Sequence, residues 1–336
     1  MAQRKIVTLR SVAERAGTSI QTVSTVLNDS RSNTVVSAET RARILTVAHE
    51  MQYRRNALAR SLRRGYTNII GFYSGFGTVS QSNPFLAEVF GGIQVGCDEH
   101  RKDLLIHGTF RGNSVDDIYD ELTSGKIDGL VLFTPLNDNL VRRLEAAPLH
   151  VVAIAETVPG ITSIVMDDID GGRQALRHLR DLGHTHILYR VPNAPFASAQ
   201  RRLEGVQAEA ETAKIKITPT REGNDNFHIS EDEKTLLLSQ SPKRPTAAIC
   251  WCDASAEALL QFLDANAISV PDQMAVVGFD GLNMPFTNGA KLTTLVAPWA
   301  KAGQQAVSIL ASDASDEMEN IGVITLPVCL RRGNTT

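Results

Sequence analysis

Between Thr8 and Asn28 the chain reads TLRSVAERAGTSIQTVSTVLN, and its apolar positions recur at helical spacing. Leu9, Val12, Ala13 and Ala16 line one face of a short first helix. Gly17 ends it, because a backbone turning sharply out of a helix needs a residue that tolerates positive φ. Ser19 stands where a cap belongs, and Val23, Val26 and Leu27 give a second helix its buried side. The outward side carries Ile20, Gln21, Thr22, Ser24 and Thr25, polar side chains with one amide apart from Ile20, a set that suits base edges and phosphates. A third helix is predicted from a Ser37 cap to about Gln52, with Glu39 favourable in its first turn and Ile44, Leu45, Ala48 and Met51 facing inward. Two short helices around a glycine turn make a helix-turn-helix, which lays its second helix in the major groove of DNA. The plainer alternative is a helical hairpin whose polar face meets water.

From Thr67 the period changes. Short, mostly apolar strands are predicted at 68–73, 103–107, 129–133 and 151–154, with helices at 85–100, 114–123 and 137–146 between them. A second set follows, with helices at 170–182, 197–212, 230–239 and 254–266 and strands at 186–191, 246–251 and 274–279. The last stretch crosses back through a strand at 292–296, a helix at 299–311 and a final strand at 321–330. The expected fold is an all-α helix-turn-helix head followed by two α/β subdomains, each a doubly wound parallel sheet. Such halves bind ligands in the crevice at the carboxyl ends of their strands.

Composition sharpens this division. The 336 residues carry a net charge of −3, but residues 1–66 hold 12 basic and 4 acidic side chains, so a head of +8 precedes a body of −11. Only the head is suited to a polyanion. No run of about 18 apolar residues offers a membrane span, and no apolar core follows Arg4 and Lys5 to make a signal peptide. Four scattered cysteines fit a reducing cytoplasm better than a disulfide framework. The segment 53–65, YRRNALARSLRRG, has five arginines and no acid. It reads either as a solvated basic linker or as a helix that folds only against phosphates, its Leu62 wedged into the minor groove. Arg41 and Arg43 are further candidates for phosphate contact.

The runs TLRSVAERAGTSIQTVSTVLN, VSAETRARIL and YRRNALARSL are similar to those of the LacI/GalR family of bacterial transcription regulators. The resemblance implies a head at 1–53, a hinge helix and linker at 54–66, and a periplasmic-binding-protein-like sensor at 67–336. Within the sensor, one subdomain takes about 67–166 plus 295–320, and the other about 167–294 plus 321–336. By motif position Ile20, Gln21 and Thr25 fall where the family reads bases, and Asn56, Ala59 and Leu62 fall on the hinge helix. Thr8, Leu9, Ser19, Thr22, Ser24 and Asn28 complete the expected DNA-contacting set. Two departures stand out. Thr25 occupies a position where many members have arginine, and Arg55 replaces the usual proline before the hinge asparagine.

In the sensor the resemblance places Arg202 in the effector cleft, Asp280 after the family's GF/GY pair and Phe227 near the ring-stacking aromatic. Phe85, Cys252 and Asp253 lie at neighbouring strand ends. Each has a plainer reading: Asp253 as a helix cap, Asp280 as a turn residue, Arg202 as an internal ion-pair partner, Phe85 and Phe227 as packing. Cys252 replaces the family's usual asparagine, removing a two-way hydrogen-bonding group and favouring a less hydroxylated ligand, or none. Cys250-x-Cys252 and His184-x-His186 lack a second pair at zinc-like spacing, and no GxSxG, P-loop or HExxH pattern occurs. No metal, cofactor or enzymatic activity is expected. What the resemblance implies is a cytoplasmic homodimeric repressor of sugar or related catabolic genes. It would bind a near-palindromic operator in double-stranded DNA and a sugar or sugar derivative as effector, with no membrane partner. The alternative is a DNA-binding regulator that does not respond to a small molecule.

Overall fold

The computed structural model describes residues 7–28, 36–54, 61, 64–76, 83–107, 114–134, 139–223, 227–242, 244–312 and 322–336. Two compact units divide at Thr67 and Asn68.

The first unit holds three helices, α1 (Leu9–Ala16), α2 (Ile20–Asn28) and α3 (Ala38–Glu50). Thr8 and Ser11 form a reciprocal capping box at the start of α1, and Gly17 ends it at φ +61°. Ser19 Oγ accepts the Thr22 N–H at 3.1 Å and Ser37 Oγ the Thr40 N–H at 3.2 Å, so each following helix has its expected cap. Val12, Ala16, Val23, Leu27, Ile44 and Ala48 are buried together as one small core. Leu45 departs from expectation: it is 49% exposed, because Ile44 and Ala48 already occupy the inward stripe of α3.

The second unit contains two six-stranded sheets built on one plan. The strands of the first are β1 (Ile69–Ser74), β2 (Asp103–Ile106), β3 (Gly129–Phe133), β4 (His150–Ile154) and β5 (Thr162–Met166), with β11 (Val323–Leu326) at the edge. Its order is β11-β5-β4-β3-β1-β2 and every pairing is parallel, Phe72 lying opposite Val131 in the β1–β3 register. The second sheet comprises β6 (His186–Val191), β7 (Lys216–Arg221), β8 (Ala247–Cys250), β9 (Ala275–Asp280), β10 (Thr293–Val296) and β12 (Cys329–Arg331). It runs β12-β10-β9-β8-β6-β7, parallel except for β12 against β10. In each sheet the first strand sits between the second and third, so chain direction switches beside β1 and β6. A crevice opens at the carboxyl ends there.

The helices of the first lobe are α4 (Pro84–Glu99), α5 (Val115–Leu122), α6 (Asn139–Glu145) and α11 (Trp299–Ala311). Those of the second are α7 (Asp168–Asp181), α8 (Ala197–Ala213), α9 (Glu231–Leu237) and α10 (Asp253–Ala265). The chain crosses between lobes after β5, after β10 and between β11 and β12. This corrects the expected assignment of the C-terminal stretch. The single strand expected at 321–330 is two, and Val323–Leu326 pairs with β5 in the first sheet while Cys329–Arg331 joins the second. Pro327, which has no N–H to donate, stands at the break. The strand at 293–296 likewise belongs to the second sheet, so the crossing comes a few residues later than the expected 295. Among the described residues no helix is long and apolar enough to cross a membrane.

Candidate functional site

In the first unit, the loop of three residues between α1 and α2 and the first turn of α2 present the polar edge. Ser19 and Gln21 are exposed and Ile20 is 43% exposed, while Thr22 and Ser24 are half-buried. Thr8 is exposed but its hydroxyl serves the α1 cap, and Leu9 packs against the core. Thr25 differs from expectation. It is buried, and its Oγ1 donates to the Gln21 carbonyl one turn back at 3.0 Å, so its hydroxyl is engaged within the helix. Arg41 and Arg43 are exposed on α3. The side chain of Asn28, and all of Asn56, Ala59 and Leu62, lie outside the described residues.

In the second unit a cavity of about 360 Å³ lies between the carboxyl ends of the two sheets. The first lobe contributes Phe76 after β1, Asn83 and Phe85 at the start of α4, Phe133 at the end of β3, and Trp299 at the start of α11. The second contributes Phe196 and Arg202 from α8, Trp251 and Cys252 after β8, Asp280 at the end of β9, and Phe227. Five of the six sequence-expected residues therefore meet at one cavity.

Asp253 does not. Its carboxylate is fully buried and accepts the Leu282 N–H at 2.7 Å and the Thr294 hydroxyl at 2.6 Å, tying the loop beyond β9 to β10. Nor does it cap α10; it is that helix's first residue, and the cap is Cys252, whose Sγ accepts the Ser255 N–H at 3.4 Å. The cysteine thus keeps the capping role of a polar residue, and burial holds its thiol pKa well above the usual range.

Arg202 joins both readings that the sequence left open. Its Nε donates to Asp168 Oδ1 at 2.8 Å and its Nη1 donates to the Trp251 carbonyl. The guanidinium also lies 3.5 Å from the Phe279 ring centroid and 3.9 Å from Asp280 Oδ1. Asp168 is shared with Arg201, whose Nη2 is 2.6 Å away. Asp280 accepts the Trp299 indole N–H at 3.3 Å, and burial together with neighbouring Asp253 raises its carboxyl pKa, opposed by Arg202. Asp280 also holds φ at +123°, a value rare outside glycine, on the lining of the cleft.

Several residues of the site escape sequence reasoning. Glu156, buried in the first lobe, accepts the Ala197 N–H at 2.9 Å and the Ser198 hydroxyl at 2.7 Å. It therefore caps α8, whose own cap residue Phe196 has no side-chain acceptor, and ties one lobe to the other. Behind the second-lobe wall, fully buried Arg190 donates from Nε to Glu233 at 2.8 Å and from Nη2 to the Phe227 carbonyl at 2.9 Å. Glu222, 3.4 Å from Arg190, accepts the Trp251 indole N–H at 3.1 Å. Both tryptophans of the chain line the cavity, and that scarcity is the one signal the sequence offers for them. A second hollow of about 300 Å³ lies at the opposite, C-terminal end of α10, beside Asp264 and Ile268.

Cys250 and Cys252 are buried free thiols, while His184 and His186 hydrogen-bond Thr246 and Thr218 at 2.9 and 2.8 Å.

Residues 8–56 match the family described as bacterial regulatory proteins, lacI family, and residues 176–336 match the periplasmic binding protein-like domain. Among similar proteins, the HTH-type transcriptional repressor PurR of Vibrio parahaemolyticus is 30% identical over 321 residues, covering 92% of each chain. The ribose operon repressor of Haemophilus influenzae is 29% identical, covering 97% of each. The crystal structure of the Lac repressor bound to ONPG in the repressed state superposes with a TM-score of 0.79 at 25% identity, covering 99% of this chain and 100% of that one. A basic three-helix unit, two parallel sheets of one plan and these likenesses along the whole length agree: the chain belongs to the LacI family of bacterial DNA-binding transcription regulators.

Proposed function

We propose that the chain is a transcriptional repressor that binds operator DNA as a homodimer and is controlled by a small molecule in the cleft of its second unit. Residues 1–53 form the DNA-reading head, 54–66 the hinge and 67–336 the sensor. The protein works in the cytoplasm and catalyses no reaction. The single observation that carries this reading is the exposed edge Ser19-Ile20-Gln21 on a helix whose opposite side is packed into a core. Such a helix enters the major groove with its N-terminal residues at base edges. Two heads related by a twofold axis then match two half-sites, and paired Leu62 side chains open the minor groove between them. The ligand-bound state of the cleft decides whether both hinges can order on DNA at once.

Relatives named as a ribose operon repressor and as the repressor PurR are consistent with this reading. The test begins by selecting a preferred duplex from a random pool with the full-length protein. Gln21→Ala should then cost about 1–3 kcal/mol of binding to the selected duplex and relax the preference at one position of each half-site. Thr25→Ala, whose hydroxyl is held within the helix, should leave the preference intact. A pool that yields no preferred sequence, or a Gln21→Ala protein with unchanged selectivity, removes the proposed reading helix.

A further inference from the structure

The cleft is far more aromatic than the chain around it. Aromatic residues make up 5% of the sequence, yet both tryptophans and five of the eleven phenylalanines line this one cavity. On the second-lobe side the rings are ordered as a stack. Phe196 and Trp251 have centroids 4.9 Å apart and planes 24° from parallel, and Phe227 lies 5.9 Å beyond at 37°. The stack is anchored from behind, Trp251 through its indole N–H to Glu222 and Phe227 through its carbonyl to Arg190. A platform held in place before binding loses little conformational freedom when a ligand joins it.

The polar side of the cavity is sparse and largely occupied. Glu156 and Ser198 bond each other, and two of the Arg202 nitrogens are taken by Asp168 and the Trp251 carbonyl. Among the described residues the Asn83 side-chain nitrogen and Arg202 Nη2 carry no hydrogen bond, and Asp280, 3.9 Å from Arg202, is on the same lining. A ring bearing hydroxyls around its whole edge would leave most of them buried against carbon, each at a cost in desolvation. A flat apolar face meets the stack without that cost. Charge argues further. Arg201 and Arg202 face Asp168, with Glu156 and Asp280 also buried at the cleft, so an added anion meets no unanswered cation.

We infer that the effector carries a neutral planar aromatic ring, stacked on the Trp251–Phe227 end of that row of rings, since Phe196 is already stacked between Phe76 and Trp251, with one hydrogen-bonding edge turned to Asn83, Arg202 and Asp280. This rests on the reading of the cleft as the effector site. Size sets the upper limit: a cavity of about 150 Å³ accommodates benzene, so about 360 Å³ takes two fused rings or one ring with a compact substituent. The same ring can come free or joined to a sugar.

The experiment titrates the full-length protein with three sets of probes: benzamide and indole as free rings, phenyl β-D-glucoside as a ring on a sugar, and ribose and glucose as plain sugars. Melting temperature and tryptophan fluorescence are read together, since a ring on the stack changes indole emission directly. Saturable quenching with a rise in melting temperature is expected for ring-bearing probes, and the order of free ring against glycoside identifies the source. Trp251→Leu and, independently, Phe227→Leu should each weaken the best ring probe about tenfold. Binding of plain sugars alone overturns the ring inference and leaves the effector cleft standing. Silence from every probe overturns both, and a ring probe unaffected by either substitution places the ring elsewhere.

Discussion

Arg190 is the largest side chain with no exposed surface among the described residues, and its position at the end of β6 explains much of the cleft's rigidity. Its five donors reach Glu233, the Ser255 carbonyl at 2.5 Å and hydroxyl at 3.1 Å, and the carbonyls of Phe227 and His228. The pattern uses what a planar guanidinium offers and a lysine does not: several fixed directions from one charge. Burial raises the Glu222 pKa, opposed chiefly by Arg190. Removing the cation therefore strands two buried carboxylates together with the backbone and hydroxyl acceptors around them. Arg190→Met should destabilise the protein by about 3–5 kcal/mol, measured as a lower urea midpoint at unchanged slope. It should also loosen the Phe227 loop, visible as faster amide exchange there. A midpoint within experimental error of the parent would show that the network relaxes into water. Sequence alone shows the intrusion of an arginine in HILYRV, but its acidic partners lie 32 and 43 positions away, beyond any local period.

At the scale of elements, both lobes rely on the same device: two helices brought to backbone contact by paired glycines. A Cβ on Gly92 of α4 would fall 1.8 Å from the Ala300 carbonyl oxygen, and one on Gly303 of α11 would fall 2.4 Å from the Val89 carbonyl oxygen. In the second lobe a Cβ on Gly172 of α7 would meet the Arg202 carbonyl oxygen at 2.1 Å, and one on Gly205 of α8 that of Ile169 at 2.0 Å. Gly172→Ala must push α8 away and carry Arg202 with it, so a loss of about 1–3 kcal/mol or more is expected, with weakened ligand response. Gly91, next to Gly92, has nothing within 4 Å, and Gly91→Ala should stabilise by roughly 0.5–1 kcal/mol through helix propensity. Thermal denaturation of the two variants side by side checks both signs; equal shifts would contradict the packing geometry. The bounds of β3, β6 and α11 match the apolar pattern residue for residue, whereas nothing in the sequence separates Gly92 and Gly172, which touch a facing helix, from their neighbours Gly91 and Gly171. β7 escapes that pattern. It is an edge strand reading KITPTR, with Pro219 inside it and no apolar run, so neither period marks it. β5, TSIVM, escapes it too, for want of a turn signal between it and the helix that follows. Without the family resemblance, which points to Arg202 and Phe227, the cleft is legible only as strand ends: Asp253 and Asp280 look alike there, and tertiary contacts alone send one into the wall's interior and leave the other on its surface.

For the whole molecule the separation of charge has a consequence that neither unit shows alone. A head of +8 joined to a body of −11 can hold a polyanion at one end only, and the acidic body opposes indiscriminate DNA binding. Each phosphate neutralised by the head releases counterions, so log affinity falls linearly with log salt at about 0.9 per neutralised phosphate in duplex DNA. Arg60 and Arg63 belong to the five-arginine segment, whereas Arg142 is exposed on α6 of the acidic body. Arg60→Gln and Arg63→Gln should each flatten the salt slope by about 0.9 for every phosphate left without its arginine, and by about twice that for a dimer engaging both half-sites. Arg142→Gln should leave the slope unchanged. Fluorescence anisotropy on the selected duplex between 50 and 200 mM salt measures all three, a range over which six to ten phosphate contacts cost roughly 10³–10⁵ in affinity. If the three variants share one slope, the grip on DNA is not where the basic residues are concentrated. If only the first two flatten it, the five-arginine segment supplies phosphate contacts that the acidic body does not.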